Sequence, residues 1–307
     1  MSTPRGLKLG VIGLGSMGKH HARIATTIPG ATLVAVSDVN QEVGQAIAQQ
    51  YKAEYFENFV DLLPLVDAVC LVTPTQTHFE FGKTIINAGK HLLIEKPLAK
   101  FAAEAKELVE LAKEKNIILA VGHVERFNPA YQELKRLVRK EKIMGLNISR
   151  LSLFPARISD ANVIQDMMIH DLDLLLDLLP NDEVESIKAT GKKVKTKNLD
   201  TVEAVIYFRS GLIAKVIADR VFGSVTRKIV AITNNGMIEA DLLNKQVYVR
   251  DLTNPVPSAH HVKQEDQLTA ELINFVKTVK GKANILVNGE AGYQALQLAE
   301  EVEKTCS

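Results

Sequence analysis

The stretch KLGVIGLGSMG, residues 8–18, decides the fold class. An apolar strand-like run, KLGVIG (8–13), leads into GLGSMG (13–18), a G-x-G-x-x-G loop that opens a helical pattern. Each glycine of such a loop has its own task. Gly13 makes the tight turn, Gly15 lets the backbone approach a pyrophosphate, and Gly18 lets the helix pack closely on the strand. The helix N-terminus at Ser16 and Met17 then offers backbone N–H groups to phosphate. The next strand-like run, TLVAVSD (32–38), ends on Asp38, 20 residues after Gly18, where a carboxylate can accept ribose hydroxyls. Asp38 would also repel a 2′-phosphate, and no Arg follows it in DVNQE. The spacing therefore predicts NAD, with NADP disfavoured.

Outward from this loop the alternation continues. DAVCLVTP (67–74), HLLIEKP (91–97) and IILAVGHV (117–124) read as further strands, separated by the helical patterns HFEFGKTIINAG and AAEAKELVELAKEKN. Near-continuous Val, Ile, Leu and Ala strands between helices predict a doubly wound parallel sheet covered on both faces. The pattern then changes. Asn128 is a natural N-cap with Pro129 at the first helical position, so a helix begins near residue 129. Alternating runs around Ser210-Gly211 and Asn235-Gly236 predict hairpins, and helices are expected near 264–280 and 290–305. The fold class predicted is α/β: a Rossmann domain over 1–124, then an α+β domain with a mainly antiparallel sheet over 125–307.

Bulk properties exclude several roles. Of 307 residues, 46% are hydrophobic and 24% charged, as in ordinary soluble domains. With 37 basic and 36 acidic residues the net charge is +1, so nothing global attracts nucleic acid or anionic lipid. The basic cluster GKKVKTKN (191–198) has no interleaved aromatics and reads as a solvated loop. Cys70 and Cys306 suggest no disulfide framework. MSTPRG runs into a strand with no apolar signal region, and no stretch reaches the ~18 apolar residues of a membrane span. A cytoplasmic location is expected. His260 and His261 lie in a Pro-containing segment with no metal-ligand spacing, and no metal is expected.

Polar groups at strand ends and on one helix are the candidates for chemistry. In TPTQTH (73–78), at the carboxyl end of the third long strand, Thr73, Pro74, Thr75 and His78 are placed to meet a cofactor. Glu95, Lys96 and Pro97 end the next strand, which puts Lys96 in the same crevice and makes Glu95 and Lys96 candidate cofactor contacts. In DMMIHDLDLLLDLL (166–179), Asp166, His170, Asp173 and Asp177 fall within roughly 60° of one another at about 100° per residue. That stripe reads as the wall of a cleft, with Asp173 an anchor of the helix and Asp177 solvated or structural. His123, Glu125 and Arg126, where the chain leaves the Rossmann domain, are candidates for binding substrate. Arg157 is a candidate diphosphate contact.

Taken together, GLGSMG with Asp38, TPTQTH, the EKP of Lys96, and the D-x-x-x-H-x-x-D of Asp166, His170 and Asp173 resemble the Gfo/Idh/MocA oxidoreductase family. The resemblance implies a Rossmann domain joined to a mostly antiparallel domain and NAD(P)-dependent oxidation or reduction of sugars and polyols. It assigns catalytic roles to Lys96, Asp166 and His170. ISDANVIQD stands where many members carry a Gly-rich stretch. With VGHVERFNPA (121–130), it is similar to the branch acting on nucleotide sugars. That likeness implies C3 of UDP-N-acetylglucosamine as the oxidised position, with a free sugar or inositol as the alternative and a non-catalytic dinucleotide sensor as a further one. It also implies a homodimer or homotetramer, and an aminotransferase that consumes the 3-keto product.

Overall fold

A computed structural model describes residues 6–154, 162–253 and 256–306. Two compact units emerge: the chain through Val124 together with Gln267–Tyr293, and Glu125–Asp266 together with the remaining C-terminal residues. The sequence reading gave the whole of 125–307 to the second domain. The structure instead returns 267–293 to the first, because the apolar stripe of a helix there completes that unit's core.

The first unit is built on strands β1 (Leu7–Ile12), β2 (Ala31–Ser37), β3 (Glu54–Phe56), β4 (Ala68–Leu71), β5 (His91–Glu95) and β6 (Leu119–Gly122). Among the described residues they form one parallel sheet in the order β3-β2-β1-β4-β5-β6. Helices α1 (Ser16–Ala25), α2 (Gln41–Tyr51), α3 (His78–Asn87) and α4 (Ala102–Glu114) connect strands. Strand order reverses at β1 and β4, and the loops leaving these neighbours open the crevice where such sheets bind ligands. Asn40 caps α2, its side chain accepting the Val43 N–H at 3.1 Å, as a short polar residue before a helix should. The core gathers Leu9, Val11, Val36 and Leu93 with Leu272, Phe275 and Val276 from α7 (Gln267–Val279).

The second unit begins with α5 (Pro129–Val138), capped as expected by Asn128, whose side chain accepts the Ala130 N–H at 3.0 Å. Strands β7 (Ile143–Leu151), β8 (Val184–Lys192), β9 (Thr201–Phe208), β10 (Ile213–Asp219), β11 (Thr226–Thr233), β12 (Gly236–Asp241), β13 (Gln246–Asp251) and β14 (Ser258–His260) follow. They form a sheet ordered β14-β13-β12-β11-β7-β10-β9-β8. All described pairings in it are antiparallel except β7 with β10. The hairpin turns fall at Gly211, with φ +86°, and at Asn235-Gly236. Between β7 and β8 lie a π-helical turn, Ile164–Met168, and α6 (Ile169–Leu178). The last helix, α8, spans Gly289–Thr305. No helix among the described residues is long and apolar enough to cross a membrane.

Candidate active site

The glycine loop shows why each glycine is there. Gly13 has φ +86°, and a Cβ on it would lie 2.6 Å from the Val72 carbonyl oxygen at the end of β4. A Cβ on Gly18 would lie 1.8 Å from the Gly13 carbonyl oxygen, so only glycine lets α1 start this close to β1. Gly15 is different: among the described residues nothing comes within 4 Å of a Cβ built there. That open face, at the cap of α1, is the cradle a dinucleotide pyrophosphate fits. Ser16 and Met17 form the first turn, with no side-chain cap among the described residues, so helix N–H groups remain for an anion.

Asp38 follows β2 and turns its carboxylate back onto this loop. Its Oδ2 accepts the Leu14 N–H at 2.6 Å and its Oδ1 accepts the Asn40 N–H at 2.8 Å. Its carbonyl accepts the Tyr55 hydroxyl at 3.0 Å. The carboxylate is thus oriented in advance beside the cradle, as a ribose acceptor must be. On the other side of the crevice, Thr73 and Pro74 follow β4, and a 3-10 turn over Thr75–Thr77 leads into α3. The Thr77 hydroxyl donates to Thr73 Oγ1 at 2.7 Å and fixes the loop.

Lys96 follows β5 and is half-buried. Two histidines hold its segment. His78 is buried, with Nδ1 2.8 Å from the Pro97 carbonyl oxygen and Nε2 2.9 Å from that of Thr73. Burial pushes the His78 pKa down, although both carbonyls favour its charge. His21, wholly buried on α1, has Nε2 2.9 Å from Glu95 Oε1. Glu95 Oε2 accepts the Lys96 backbone N–H at 3.2 Å. Burial opposes the Glu95 charge, yet the His21 hydrogen bond and the Lys96 ammonium hold its carboxyl below the usual range. Gly122 on β6 makes room, since a Cβ there would stand 2.8 Å from Glu95 Oε2.

In the second unit, Asp166 lies in the π-helical turn and His170 in the first turn of α6, both half-buried. Wide turns of this kind recur at functional sites because they re-aim side chains. The stripe predicted from sequence divides here. Asp173 and Asp177 face Arg126: its Nε and Nη2 donate to Asp173 at 2.8 and 2.6 Å, and its Nη1 donates to Asp177 at 3.0 Å. Lys135 donates to Asp177 at 2.6 Å, and the Tyr131 hydroxyl also donates to it. Burial disfavours the Asp177 charge, but Arg126 and Lys135 hold its carboxyl below the usual range. On the opposite side of α6, buried Asp171 accepts from Arg150 Nε, shared between its two oxygens at 3.1 and 3.0 Å, and from Arg150 Nη2 at 2.9 Å. The Arg150 Nη1 donates to Glu125 at 2.9 Å. The helix carrying His170 is therefore held by ion pairs on two sides.

Several sequence-based expectations change accordingly. Glu125 and Arg126 were candidates for binding substrate, with a salt bridge as the other reading of Arg126. Both are buried, and their polar atoms serve Arg150, Asn128, Asp173 and Asp177, which gives them a scaffolding task. His78 and Glu95, candidate cofactor contacts, hydrogen-bond the chain on either side of Lys96: His78 meets the Pro97 carbonyl and Glu95 the Lys96 N–H. His123 is buried. Arg157 lies outside the described residues. The cluster 191–198 wraps a buried carboxylate: Asp200 accepts the N–H groups of Val194, Lys195 and Thr196 at 2.7–2.8 Å and Arg220 Nε at 2.9 Å. Sequence reasoning missed His21, Arg150 and Glu271. The available signal was a charged or imidazole side chain on the apolar face of α1, β7 or α7.

A glycine cradle, an oriented carboxylate and a lysine at the end of β5 define a dinucleotide-binding oxidoreductase. The model described as "Oxidoreductase family, NAD-binding Rossmann fold" matches residues 7–123. UDP-N-acetylglucosamine 3-dehydrogenase from Acidithiobacillus ferrooxidans is 33% identical over 304 residues, covering 96% of each chain. Its solved structure superposes with TM-score 0.93 at 32% identity over 98% of each chain. Myo-inositol 2-dehydrogenase from Thermotoga maritima is 29% identical over 323 residues, covering 97% of this chain and 96% of the relative. The chain belongs to the Gfo/Idh/MocA oxidoreductase family.

Proposed function

We propose that this protein oxidises the C3 hydroxyl of UDP-N-acetylglucosamine to the 3-keto nucleotide sugar, using NAD. The observation that carries the reading is the match to the A. ferrooxidans 3-dehydrogenase, which runs through both units at 33% identity. When bound, the nicotinamide ring supplies the hydride acceptor. The protein's own groups supply the rest. His170 takes the hydroxyl proton as general base, a role to which an imidazole side chain is suited. Lys96 stabilises the developing alkoxide as an ammonium hydrogen-bond donor. Asp166, one turn before His170, orients the base or a substrate hydroxyl. Gly15, Ser16 and Met17 hold the pyrophosphate in the loop that Gly13 and Gly18 shape, with Thr73, Pro74 and Thr75 across the crevice. Asp38 holds the adenosine ribose and selects NAD over NADP. Use of the ketone by an aminotransferase, and assembly into a homodimer or homotetramer, complete the proposal.

An inositol or free sugar as substrate is the second reading, favoured by the full-length similarity to a myo-inositol 2-dehydrogenase. A panel of nucleotide sugars, free sugars and inositols with NAD, followed by absorbance of the reduced nicotinamide, separates the two. Signal with UDP-N-acetylglucosamine is expected, and His170→Ala and Lys96→Ala lose about 10²-fold or more in turnover while still binding NAD. Signal with inositols alone would replace the first reading with the second.

A further inference from the structure

A second carboxyl lies against the His21–Glu95 pair. Glu271 sits in the buried stripe of α7 with Leu272, Phe275 and Val276, and α7 packs on α1. It is 3% exposed, and neither carboxyl oxygen has a hydrogen-bond partner among the described residues. His21 Nδ1 is likewise buried without a partner among them. One ligand atom from each of His21, Glu95 and Glu271 lies within 4.8 Å of the other two. Each group comes from a different element, so the convergence is a product of the tertiary fold.

An ionised, unpaired Glu271 in this setting is strongly unfavourable, and either a cation or a proton must remove its charge. One imidazole and two carboxylates are a donor set that suits zinc or manganese. Two observations favour the proton. His21 Nε2 already faces Glu95, and the Lys96 ammonium acts on the same carboxylate, so a divalent ion would compete with it. Burial and the neighbouring Glu95 charge push the Glu271 carboxyl well above the usual range. The other titratable groups acting here from packed elements are the Cys70 thiol on β4 and His78 on α3. Burial pushes the first up and the second down, which leaves both neutral near pH 7.

We propose that Glu271 is a positioning residue for Lys96: as a neutral carboxylic acid it supports the His21–Glu95 pair and leaves Glu95 as the anion acting on the Lys96 ammonium. A second negative charge beside Glu95 would disturb that pair, and an apolar group would remove the acid's dipole from within 4.8 Å of it. The inference deepens the reading of Lys96 as electrostatic partner and rests on that reading.

Two measurements on the 307-residue chain need no sugar. The infrared difference between wild type and Glu271→Gln near pH 7 should show loss of a protonated-carboxyl C=O stretch. Amine labelling of Lys96 against pH, read by peptide mass spectrometry, should show its midpoint at lower pH in Glu271→Leu and restored towards wild type in Glu271→Gln. Turnover of Glu271→Leu should fall about tenfold with little change in NAD affinity. Absence of the infrared band would overturn the proposal. So would an unchanged Lys96 midpoint in a folded Glu271→Leu, or an equivalent of zinc or manganese that co-purifies with wild type and is lost in Glu271→Gln. Should Glu271→Leu fail to fold, the infrared difference alone decides. A wild type inactive on every sugar would instead overturn the functional reading, with band and labelling still deciding the charge of the buried acid.

Discussion

Asp38 Oδ2 accepts the backbone N–H of Leu14 at 2.6 Å, which ties the end of β2 to the middle of the glycine loop. Oδ1 accepts the Asn40 N–H at 2.8 Å, so backbone donors orient both oxygens of the carboxylate that we propose serves the loop and the adenosine ribose together. Replacing Asp38 by Ala removes both functions. NAD affinity should fall about 10- to 100-fold, the cost of hydrogen bonds to a charged group, and discrimination against NADP should shrink. Titration of each variant with both dinucleotides measures this. Unchanged NAD affinity would end the ribose assignment.

Gly15 and Gly18 should separate ligand binding from folding. Gly15 has φ −65°, a conformation alanine accepts, and its Cβ position is open. Gly15→Ala should leave stability within about 1 kcal/mol of wild type. The new methyl would occupy the cradle, and NAD affinity should drop about tenfold or more. Gly18→Ala places a Cβ 1.8 Å from the Gly13 carbonyl oxygen and must displace α1 from β1. That variant should unfold at distinctly lower denaturant even without cofactor. Similar midpoints for the two variants would contradict this division.

Much of the first unit was legible because its strands are short, nearly uninterrupted apolar runs, each followed by a helix and a turn residue. Gly13, Gly15, Gly18 and Asp38 were found because their spacing follows from the geometry of one β-α-β unit. What stayed hidden required a contact distant in sequence. Periodicity shows that 267–279 is an amphipathic helix but not which core its apolar stripe completes. β3 is three residues long and too short to show alternation. The stripe Asp166, His170, Asp173 and Asp177 was read at α-helical spacing, but Asp166 lies in a π-helical turn before α6, and the pairing of Asp173 and Asp177 depends on Arg126, 47 residues from Asp173. The functions of His21 and Glu271 were invisible for the same reason: each is a single polar residue in an apolar stripe, with its partners on other elements.

Arg126 and Asp173 should be a stability pair with a catalytic consequence. Both are buried, and Asp173 lies three residues after His170 on α6. Breaking the pair by Arg126→Met or Asp173→Asn leaves an uncompensated buried group and should cost about 3–5 kcal/mol. Turnover should also fall, since α6 carries the proposed base. Chemical denaturation and a double-mutant cycle test the coupling. Additive losses would mean the two side chains act independently.

Asp200 gives the clearest pH dependence. Burial opposes its charge, but the N–H groups of Thr196, Lys195 and Val194 and the Thr196 hydroxyl outweigh it and hold its carboxyl far below the usual range. A folded-state pKa below the unfolded value of about 3.9 stabilises the native state at every pH above that value. This contribution is lost as pH falls through the folded pKa, when the carboxylate must protonate. Asp200→Asn removes it outright, so the variant should be less stable than wild type by about 3 kcal/mol near pH 7. The gap should narrow steadily as the pH is lowered below about 4, because the unfolded chain then takes up a proton that the folded carboxylate does not. Urea unfolding across that range reads the gap directly. A difference that stays constant down to acid pH would show that the amide disturbs packing around the 193–199 loop and that the carboxylate charge is not what organises it.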